Sequence, residues 1–393
     1  MQKTIWGILL LVLSAGSLVV AQTPAQSIPT VDCTKGQSIN QTLSTLDKQA
    51  SNTVLVNGTC TEYVQVTGFE NLTLKGLPGA KLAQPATVPG SLLVTLLMIE
   101  ASRSVTVQGL TLQADDTISA IGIGHGSTDI RLRNLTVDGG GEGIIIFEHS
   151  QVSIAYVNGK NSGYTPLGIY DASDVHVEHC LFDNPTGASW HAGIDMGGGS
   201  HITIYATTLR NMQVGISANW GSIIDIEAFN TYYALTGPTD VTIDSPAGTN
   251  YNGVNANDGA LLNLGSAKLV INKAGQTWGG TTGGVLVSNG STLNAPGGNL
   301  TITGSYGQGI TALNNSHAIV GTVTVSGNSH GGLVAVNLSS IDVTVGSGLS
   351  SIGGNSVDLF CDTQSIITGS VNIAGAPTAQ CTNLLATETL ALP

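Results

Sequence analysis

The sequence contains few charged residues. Of its 393 residues, 12 are Lys or Arg and 25 are Asp or Glu, so charged side chains make up 9% of the chain and the formal net charge is −13. Soluble domains usually carry about 25% charged residues, and the exposed faces of helices take many of them. The composition therefore excludes a mainly helical protein. The shortage of basic residues also excludes a nucleic acid or an anionic membrane as partner, because no basic patch can form.

Long apolar runs are also missing. Residues 92–99 and the C-terminal residues 384–393 are too short to span a membrane. The apolar run 5–13 follows Lys3 and precedes small residues, which predicts a signal peptide over residues 1–21 with cleavage after Ala21. The expected protein has no membrane span after signal removal. It is secreted, periplasmic or held at the cell surface.

Only five cysteines are present, and four of them stand in two terminal pairs. Their placement predicts a Cys33–Cys60 disulfide and a Cys361–Cys381 disulfide, which suits an oxidising compartment. Cys180 stands alone in the middle of the chain. It could be a reactive thiol, but a small buried hydrophobic residue is the favoured interpretation, since free cysteines are among the most buried residue types.

Glycine, in contrast, is abundant, with 52 residues. Many glycines belong to a recurring phrase of a small residue and a branched aliphatic residue, as in 143–146, 193–196 and 309–312. The small residue recurs at spacings of 19 to 25, and it is Gly at eight of twelve positions. The predicted positions are 98, 120, 143, 168, 193, 215, 234, 259, 284, 309, 332 and 356.

Each phrase leads into a second segment in which aliphatic and polar residues alternate, such as 105–107 and 130–132. Alternation with a period of two indicates a strand with one apolar face. A repeat of this length without a helix cannot bury that face alone, so coils must stack in parallel. The sequence predicts an all-β, single-stranded parallel β-helix, a solenoid of about twelve coils over residues 71–362. Disulfide-bounded caps are expected at 22–70 and 363–393.

The coil length, the Gly-Ile phrase and the short polar turns resemble right-handed parallel β-helix proteins of the pectin-lyase-like superfamily. The resemblance covers about residues 71–383, and the segment 54–62 resembles the N-terminal part of secreted bacterial members. The resemblance implies a right-handed helix. Its members include polysaccharide lyases, glycoside hydrolases, uronate epimerases, esterases, phage tailspikes and non-catalytic surface proteins, so it implies no single activity.

The motifs of three enzyme groups can be compared with this chain. Polygalacturonases carry paired aspartates, but Ala192 stands at the catalytic Asp position and the next coil has Gln213 and Val214. Pectate lyases use several carboxylates on adjacent coils for calcium, and Asp195 has no such neighbour in its ladder. Alginate-type epimerases and lyases use Tyr, His, Asp and a cation, which the segment 170–176 and Lys160 resemble loosely. This third group is the nearest match.

Ionisable side chains concentrate in the middle of the chain, where six of the eight histidines lie between positions 125 and 201. Stacked coils place outward side chains in ladders. The ladder after the small residue is predicted to contain Ile145, Tyr170, Asp195, Ser217 and Thr236. The ladders of the following strand are predicted to contain Arg131, Ser153, His176, Thr203 and Asp225, and then Arg133, Ala155, Glu178, Tyr205 and Glu227.

From these ladders we predict proton-transfer chemistry at Tyr170, His176 and Asp195, supported by Glu178 and His191. The alternative is that His176, Glu178 and Asp195 are ordinary solvated residues on a polar face. Trp190 and Trp220 are either sugar-stacking platforms or packing residues.

No cofactor motif is present, and calcium is the one cofactor left open. Asp115 with Asp116, or Asp171 with Asp174, could coordinate it. Paired aspartates in Gly-rich turns more often stabilise the turn itself.

The predicted function is an exported protein, expected to be a monomer, that binds or processes an extracellular polysaccharide. If it is catalytic, a lyase or uronate epimerase fits better than a hydrolase, because no paired carboxylates are visible in the sequence. The alternative is a non-catalytic, adhesive surface solenoid. The Ser-, Thr- and Asn-rich coils from 260 to 354 favour the alternative, and the His-rich middle favours the enzyme.

Overall fold

The computed structural model describes residues 28–87, 95–184, 192–227, 240–244, 252–274, 282–344, 350–369, 371–374, 379–381 and 384–385. The predicted signal peptide, Trp190, His191 and Thr236 lie outside the described residues. Among the described residues, no helix is long and apolar enough to cross a membrane.

Short strands make up almost all of the regular structure. The only helical elements of the described residues are a 3-10 turn, Cys33–Lys35, and a short α-helix, α1 (Ile39–Ser44). The strands of the first part are β1 (Thr30–Asp32), β2 (Ser51–Asn57), β3 (Thr59–Thr61), β4 (Val64–Thr67), β5 (Asn71–Gly76), β6 (Lys81–Ala83), β7 (Thr95–Glu100), β8 (Val105–Gln108), β9 (Thr111–Ala114), β10 (Ser119–Gly124), β11 (Ile130–Arg133), β12 (Thr136–Gly139) and β13 (Glu142–Ile146). The strands of the middle part are β14 (Gln151–Ala155), β15 (Asn158–Lys160), β16 (Thr165–Ile169), β17 (Asp174–Glu178), β18 (Leu181–Asp183), β19 (Ala192–Met196), β20 (His201–Tyr205), β21 (Thr208–Arg210), β22 (Val214–Ala218), β23 (Ile223–Ile226), β24 (Val241–Asp244), β25 (Asn252–Ala256) and β26 (Leu261–Asn263). The strands of the last part are β27 (Lys268–Asn272), β28 (Gly283–Ser288), β29 (Thr292–Thr303), β30 (Gln308–Leu313), β31 (His317–Ser326), β32 (Gly331–Val336), β33 (Ser340–Val343), β34 (Ser351–Gly353), β35 (Leu359–Cys361), β36 (Ile366–Gly369), β37 (Asn372–Ala374), β38 (Ala379–Cys381) and β39 (Leu384–Leu385).

The strands pair in parallel with the strand one coil away, and they form three ladders along the axis. The first ladder is a separate sheet of 13 strands running from β4 to β38. The second ladder contains β11, β14, β17 and β20, and the third contains β12, β15, β18 and β21. The second and third ladders share the long strands β29 and β31. The predicted all-β parallel solenoid of about twelve coils is confirmed.

The interior is filled by columns of aliphatic side chains. In the first ladder Ile121, Ile144, Leu167, Ile194 and Ile216 stand in register, and all are fully buried. Each buried Ile or Leu side chain contributes about 1.5–3 kcal/mol relative to exposure. Because the columns are continuous from coil to coil, the aliphatic residue of the repeated phrase is what holds neighbouring coils together.

The predicted register of the phrase is correct in most coils and wrong in others. Positions 120, 143, 193, 215, 284, 309 and 332 share one column, but Leu96, Pro166 and Asp358 replace the predicted 98, 168 and 356. Each of these errors is a shift of two residues, which leaves the same side chains facing inward. Ile216 pairs directly with Val254, so the column continues at Gly253 and the predicted position 259 is wrong.

A column of buried serines runs along the turn between the first and second ladders. The backbone N–H of Ser102 donates to Ser127 Oγ at 3.3 Å, and Ser127 Oγ donates to the Gly124 carbonyl at 2.7 Å. The same links recur from coil to coil. Each of these hydroxyls therefore satisfies one buried N–H of the preceding coil. An unsatisfied buried N–H would cost about 1–3 kcal/mol of stability.

Both termini of the described solenoid carry a disulfide. Cys33 is bonded to Cys60, and Cys361 is bonded to Cys381, its direct strand partner on β38. The predicted pairings are confirmed, and they indicate an oxidising compartment. Glu62 caps helix α1, accepting from the Ile39 backbone N–H at 2.6 Å. Cys180 is buried as expected, and burial raises the pKa of its thiol to about 12.

Candidate functional site

A groove of about 990 Å³ lies on the outer face of the first ladder, between β4 and β16. Its floor consists of outward positions of the strands, including Gln65, Met98 and Ile145, which stand in one column with Gly122, Gly168 and Asp195. Strand positions in this column project away from the aliphatic interior. Side chains of the groove are therefore held on a rigid surface.

Tyr170 is bonded to two carboxylates at one end of this groove. Its hydroxyl donates to Asp195 Oδ2 at 3.0 Å and lies 3.4 Å from Glu142 Oε1. Tyr170 follows strand β16, and its ring folds back over Gly168. A Cβ on Gly168 would lie 2.8 Å from the ring, so no side chain fits there. The missing side chain of Gly168 is thus what allows the hydroxyl to reach both acids.

The surroundings of this cluster favour bound protons. Burial raises the pKa of Glu142, the Tyr170 hydroxyl opposes that shift, and the negative charge of Asp195 adds to it. Burial and the two carboxylates raise the pKa of Tyr170 far above its ordinary value. Tyr170 is therefore a hydrogen-bond donor at every physiological pH and is not a base. Glu142 is the acid of the cluster that holds a proton to a higher pH than an ordinary Glu.

A second cluster in the groove is centred on His125. Its Nε2 lies 3.2 Å from Glu100 Oε1, and its Nδ1 lies 2.8 Å from Glu148 Oε2. The backbone N–H of His125 also donates to Glu148 Oε2. The imidazole thus links two carboxylates, one from the coil before its own and one from the coil after it.

The groove is acidic and partly aromatic. The carboxylates that line it are Glu100, Asp116, Glu142, Glu148 and Asp171, and the aromatic rings are Tyr63, Phe147, Tyr164 and Tyr170. None of the described Lys or Arg residues lines it. Aromatic faces beside carboxylates suit sugar rings, which present C–H groups on their faces and hydroxyl groups at their edges.

One wall of the groove is a column of turn residues in the left-handed conformation, which we call the turn column. Each member from Glu148 onward accepts a backbone hydrogen bond at its carbonyl from the coil before it. The members are His125, Glu148, Asp171, Gly198, Trp220, Asp258, Asn289, Asn314 and Asn337, with φ between 53° and 64°. Asn, Asp and Gly tolerate this conformation, whereas other residues pay about 1–3 kcal/mol. Glu148 and Trp220 are therefore strained positions.

The structure groups the predicted site residues differently from the sequence analysis. Tyr170 and Asp195 do meet, but Asp195 is in register with Gly168, so the predicted ladder of Tyr170 beside Asp195 is wrong. His176 and Glu178 lie on β17 in the second ladder. The predicted register of that ladder, with His176 between Ser153 and Thr203, is confirmed. His191 lies outside the described residues.

His176 and Glu178 belong to a separate surface. His176 Nε2 lies 3.6 Å from Glu178 Oε2, and its ring centroid lies 5.3 Å from that of Tyr205. Tyr205 also contacts His179, which stacks on Tyr156 at a centroid distance of 5.0 Å. These contacts join the side chains to each other and not to Tyr170.

Glu142 and His125 are two groove residues that the sequence analysis did not select. Glu142 precedes the small residue of its phrase, and its link to Tyr170 crosses one coil through a ring that folds backwards. His125 lies in a turn, and its partners come from the coils on either side. The one available signal was the left-handed turn pattern, in which His125 precedes Gly126 as Asn289 precedes Gly290.

Two of the aspartates considered for calcium, Asp115 and Asp174, bond to other groups of the protein. Asp115 accepts hydrogen bonds from the backbone N–H and the hydroxyl of Thr117, which is turn chemistry. Asp174 is bonded to His201 Nδ1 at 2.9 Å. Among the described residues, one group of three potential metal ligands was found, Cys33, Cys60 and Glu62, and two of these form a disulfide. Cys33, Cys60 and Glu62 do not fit a calcium site, because the two sulfur atoms are bonded to each other and calcium prefers oxygen ligands.

The fold and the groove define a parallel β-helix protein with an acidic surface cleft. No protein-family model matches the chain, and no curated protein matches it.

Among solved structures, the chain is similar to DFA-IIIase from Arthrobacter chlorophenolicus A6 in complex with GF2, with 12% identity and a TM-score of 0.48 over 95% of this chain and 98% of that chain. It is similar to polygalacturonase from Erwinia carotovora ssp. carotovora, with 13% identity and a TM-score of 0.36 over 92% and 96%. It is also similar to tailspike protein 3 of bacteriophage CBA120, with 13% identity and a TM-score of 0.39 over 88% of this chain and 57% of that chain. The chain thus spans little more than half of that tailspike's length. These three likenesses concern the fold alone. At such low identity and TM-score they carry no argument about activity.

Proposed function

We propose that this protein binds an extracellular polysaccharide in the acidic groove and cleaves its glycosidic bonds by acid–base chemistry. The observation that carries this function is the Tyr170 hydroxyl held by Asp195 and Glu142 on the floor of the groove. The sequence showed no paired carboxylates. Two carboxylates beside one scissile bond are what glycoside hydrolysis requires.

The three side chains can divide the reaction between them. Glu142, whose pKa is raised mainly by burial, gives its proton to the leaving oxygen as the glycosidic C–O bond breaks. A water molecule then bonds to the sugar carbon through its oxygen, and the proton that it loses returns to Glu142. Asp195, which accepts the hydrogen bond of the Tyr170 hydroxyl, stabilises the positive charge that develops at the sugar carbon. Tyr170 stays protonated and positions Asp195 throughout.

The charge of the groove favours a neutral or cationic polysaccharide. A lyase or epimerase acting on uronic acids must neutralise the sugar carboxylate, and no Lys or Arg of the described residues lines the groove. The five lining carboxylates would repel a polyanion. For this reason hydrolysis of an uncharged glycan replaces the lyase or epimerase chemistry that we expected from the sequence.

The test is a panel of neutral, amino-sugar and uronate polysaccharides, assayed for reducing ends and for the absorbance of unsaturated products. We expect new reducing ends with a neutral or amino-sugar polymer and no unsaturated product. Glu142→Gln should lower turnover by about 10²–10⁴-fold while binding remains. Asp342→Asn, a carboxylate on β33 far from the groove in sequence, is the control and should keep full activity. Unsaturated uronate products would contradict the proposed chemistry.

A non-catalytic adhesive role is the second candidate, and the later coils favour it. Their turn column is an uncharged amide ladder through Asn289, Asn314 and Asn337. The same panel separates the two roles, because an adhesin would bind a polymer but release no reducing ends from it, either before or after the change Glu142→Gln.

A further inference from the structure

Trp220 is the most exposed large hydrophobic side chain of the described residues, with 68% of its surface accessible. It occupies the turn column at φ 54°, a conformation that costs a bulky residue free energy and is normally filled by Gly, Asn or Asp. Neither burial nor capping compensates for this cost. Tyr156 and Leu338 are also exposed at positive φ, so what sets Trp220 apart is its position beside Tyr170 of the groove.

The ring of Trp220 lies against a gap in the surface of the first ladder. A Cβ on Gly197 would be 3.0 Å from Trp220 Cε3 and 3.9 Å from Tyr170 Cδ1. Gly197 therefore leaves the space that the indole occupies, and the indole lies next to Tyr170. The neighbouring turn residue is Gly198, so no side chain stands between Asp171 and Trp220 in the turn column.

We propose that Trp220 forms a distal sugar-binding subsite, on which one ring of a polysaccharide stacks while the Tyr170 cluster holds the bond to be cleaved. The subsite rests on the proposed glycan-binding function and specifies its ligand as a chain long enough to reach from Tyr170 past Gly197. An uncharged sugar ring has the C–H face that stacks on an indole. Trp220 then selects polymers over short oligosaccharides.

The test compares Trp220→Asn with the unmodified protein on neutral gluco-oligosaccharides and fructo-oligosaccharides, from disaccharides to chains longer than a hexasaccharide. Asn suits the left-handed turn, so the variant should fold and should unfold at the same temperature or higher. We expect its affinity for the long chains to fall about 2- to 10-fold and its affinity for the short chains to stay the same. The quenching of tryptophan fluorescence by long chains should shrink in the same variant.

Leu338 provides a matched control, since it is also an exposed apolar residue, 63% accessible, at positive φ in the corresponding turn of a later coil. Leu338→Asn should leave binding at every chain length unchanged. Equal affinities of Trp220→Asn and the unmodified protein for long chains would overturn the subsite, as would an equal loss at all lengths. If length-dependent binding is lost in Trp220→Asn while Glu142→Gln stays active, the subsite stands and the proposed acid fails. If no glycan binds the unmodified protein, both fail.

Discussion

The turn column has one backbone conformation from end to end but two kinds of side chain. The groove coils carry His125, Glu148, Asp171 and Trp220, whereas the later coils carry Asp258, Asn289, Asn314 and Asn337. In the later coils the amides bond to one another from coil to coil, as where Asn314 Nδ2 donates to Asn289 Oδ1 at 2.9 Å. In the groove coils His125, Glu148 and Asp171 line the cleft instead.

The difference shows how the residue at a turn-column position affects the stability of the fold. An Asn relieves the left-handed strain and adds a hydrogen bond to the next coil, so it is the stabilising choice. The groove coils forgo both gains at Glu148 and Trp220. Stability has been given up locally where side chains face the cleft, as is common at functional sites.

The largest effect should come from Tyr170→Phe, which has no equivalent in the later coils. Loss of the hydroxyl removes the donor that orients Asp195, and we expect turnover to fall about 10²-fold. The pKa of Glu142 should rise further, because the Tyr170 hydrogen bond favours the carboxylate form. Measured pH–rate profiles should therefore show the limb assigned to Glu142 at a higher pH in the variant. An unshifted limb would show that another group is the acid.

Asn314→Glu places the groove type of residue in a later coil. The change removes two amide hydrogen bonds, to Asn289 and from Asn337, and adds strain at φ 56°. We expect the free energy of unfolding to fall by about 1–3 kcal/mol in urea titrations. An unchanged midpoint would mean that the amide ladder contributes nothing to stability.

Glu148→Asn is the reciprocal change, because it places the later type of residue in a groove coil. It should raise the free energy of unfolding by about 0.5–1 kcal/mol through relief of the left-handed strain. Affinity for the glycan should fall, since the carboxylate that holds His125 is removed. Calorimetric binding and urea denaturation measure the two effects. Stability that falls together with affinity would contradict the trade between them.

The prediction for Glu142 concerns pH. A folded-state pKa raised above the unfolded value contributes stability that is complete below the unfolded pKa and is lost as the pH rises through the folded pKa. Glu142→Gln has no such loss, so between about pH 4 and neutrality its stability should decline less than that of the unmodified protein. Unfolding temperatures at several pH values, with Asp342→Asn as the control, measure the difference. Parallel curves would show that Glu142 is ordinary in the folded state.

The smallest effect is expected at His201, which lies in the second ladder away from the groove. Burial opposes its charge, but Asp225 and Asp174, at 2.8 and 2.9 Å, outweigh burial and raise its pKa. The stability that it contributes is present at low pH and is lost as the pH rises through the folded pKa. With 36% of the side chain exposed, His201→Gln should cost no more than about 0.5 kcal/mol at pH 5 and nothing at pH 8. A loss that is equal at both pH values would indicate a packing role.

The fold could be predicted because its signals are local and repeated. The alternation of aliphatic and polar residues fixes which side chains face inward, and the repeat length requires stacking. The register, meaning which residues of neighbouring coils stand side by side, could not be predicted as accurately. In the coil of Gly168 a shift of two residues preserves every inward position, so the phrase at 168–170 looked equivalent to that at 193–195.

The site depended on that register. Tyr170 and Asp195 were selected as ladder neighbours, and they meet instead because Gly168 lets the Tyr170 ring fold back. The folded-back ring of Tyr170 also brings its hydroxyl close to Glu142. His125 and Glu148 are joined across a turn. The sequence repeat does not indicate which turn residues line a groove.

The buried serines make each coil an interchangeable module. Ser127 and Ser200 each accept a bond from the coil before and donate a bond within their own turn, and Ser173, Ser339 and Ser365 accept in the same way, so the connection recurs between many of the coils. Ala260 stands in the place of a serine in this column, and its backbone N–H still donates to Ser291 Oγ at 3.0 Å. A gene duplication that copied one coil would find the same connections on both sides. The molecule could therefore lengthen by whole turns during evolution without redesign of its interior or of its groove.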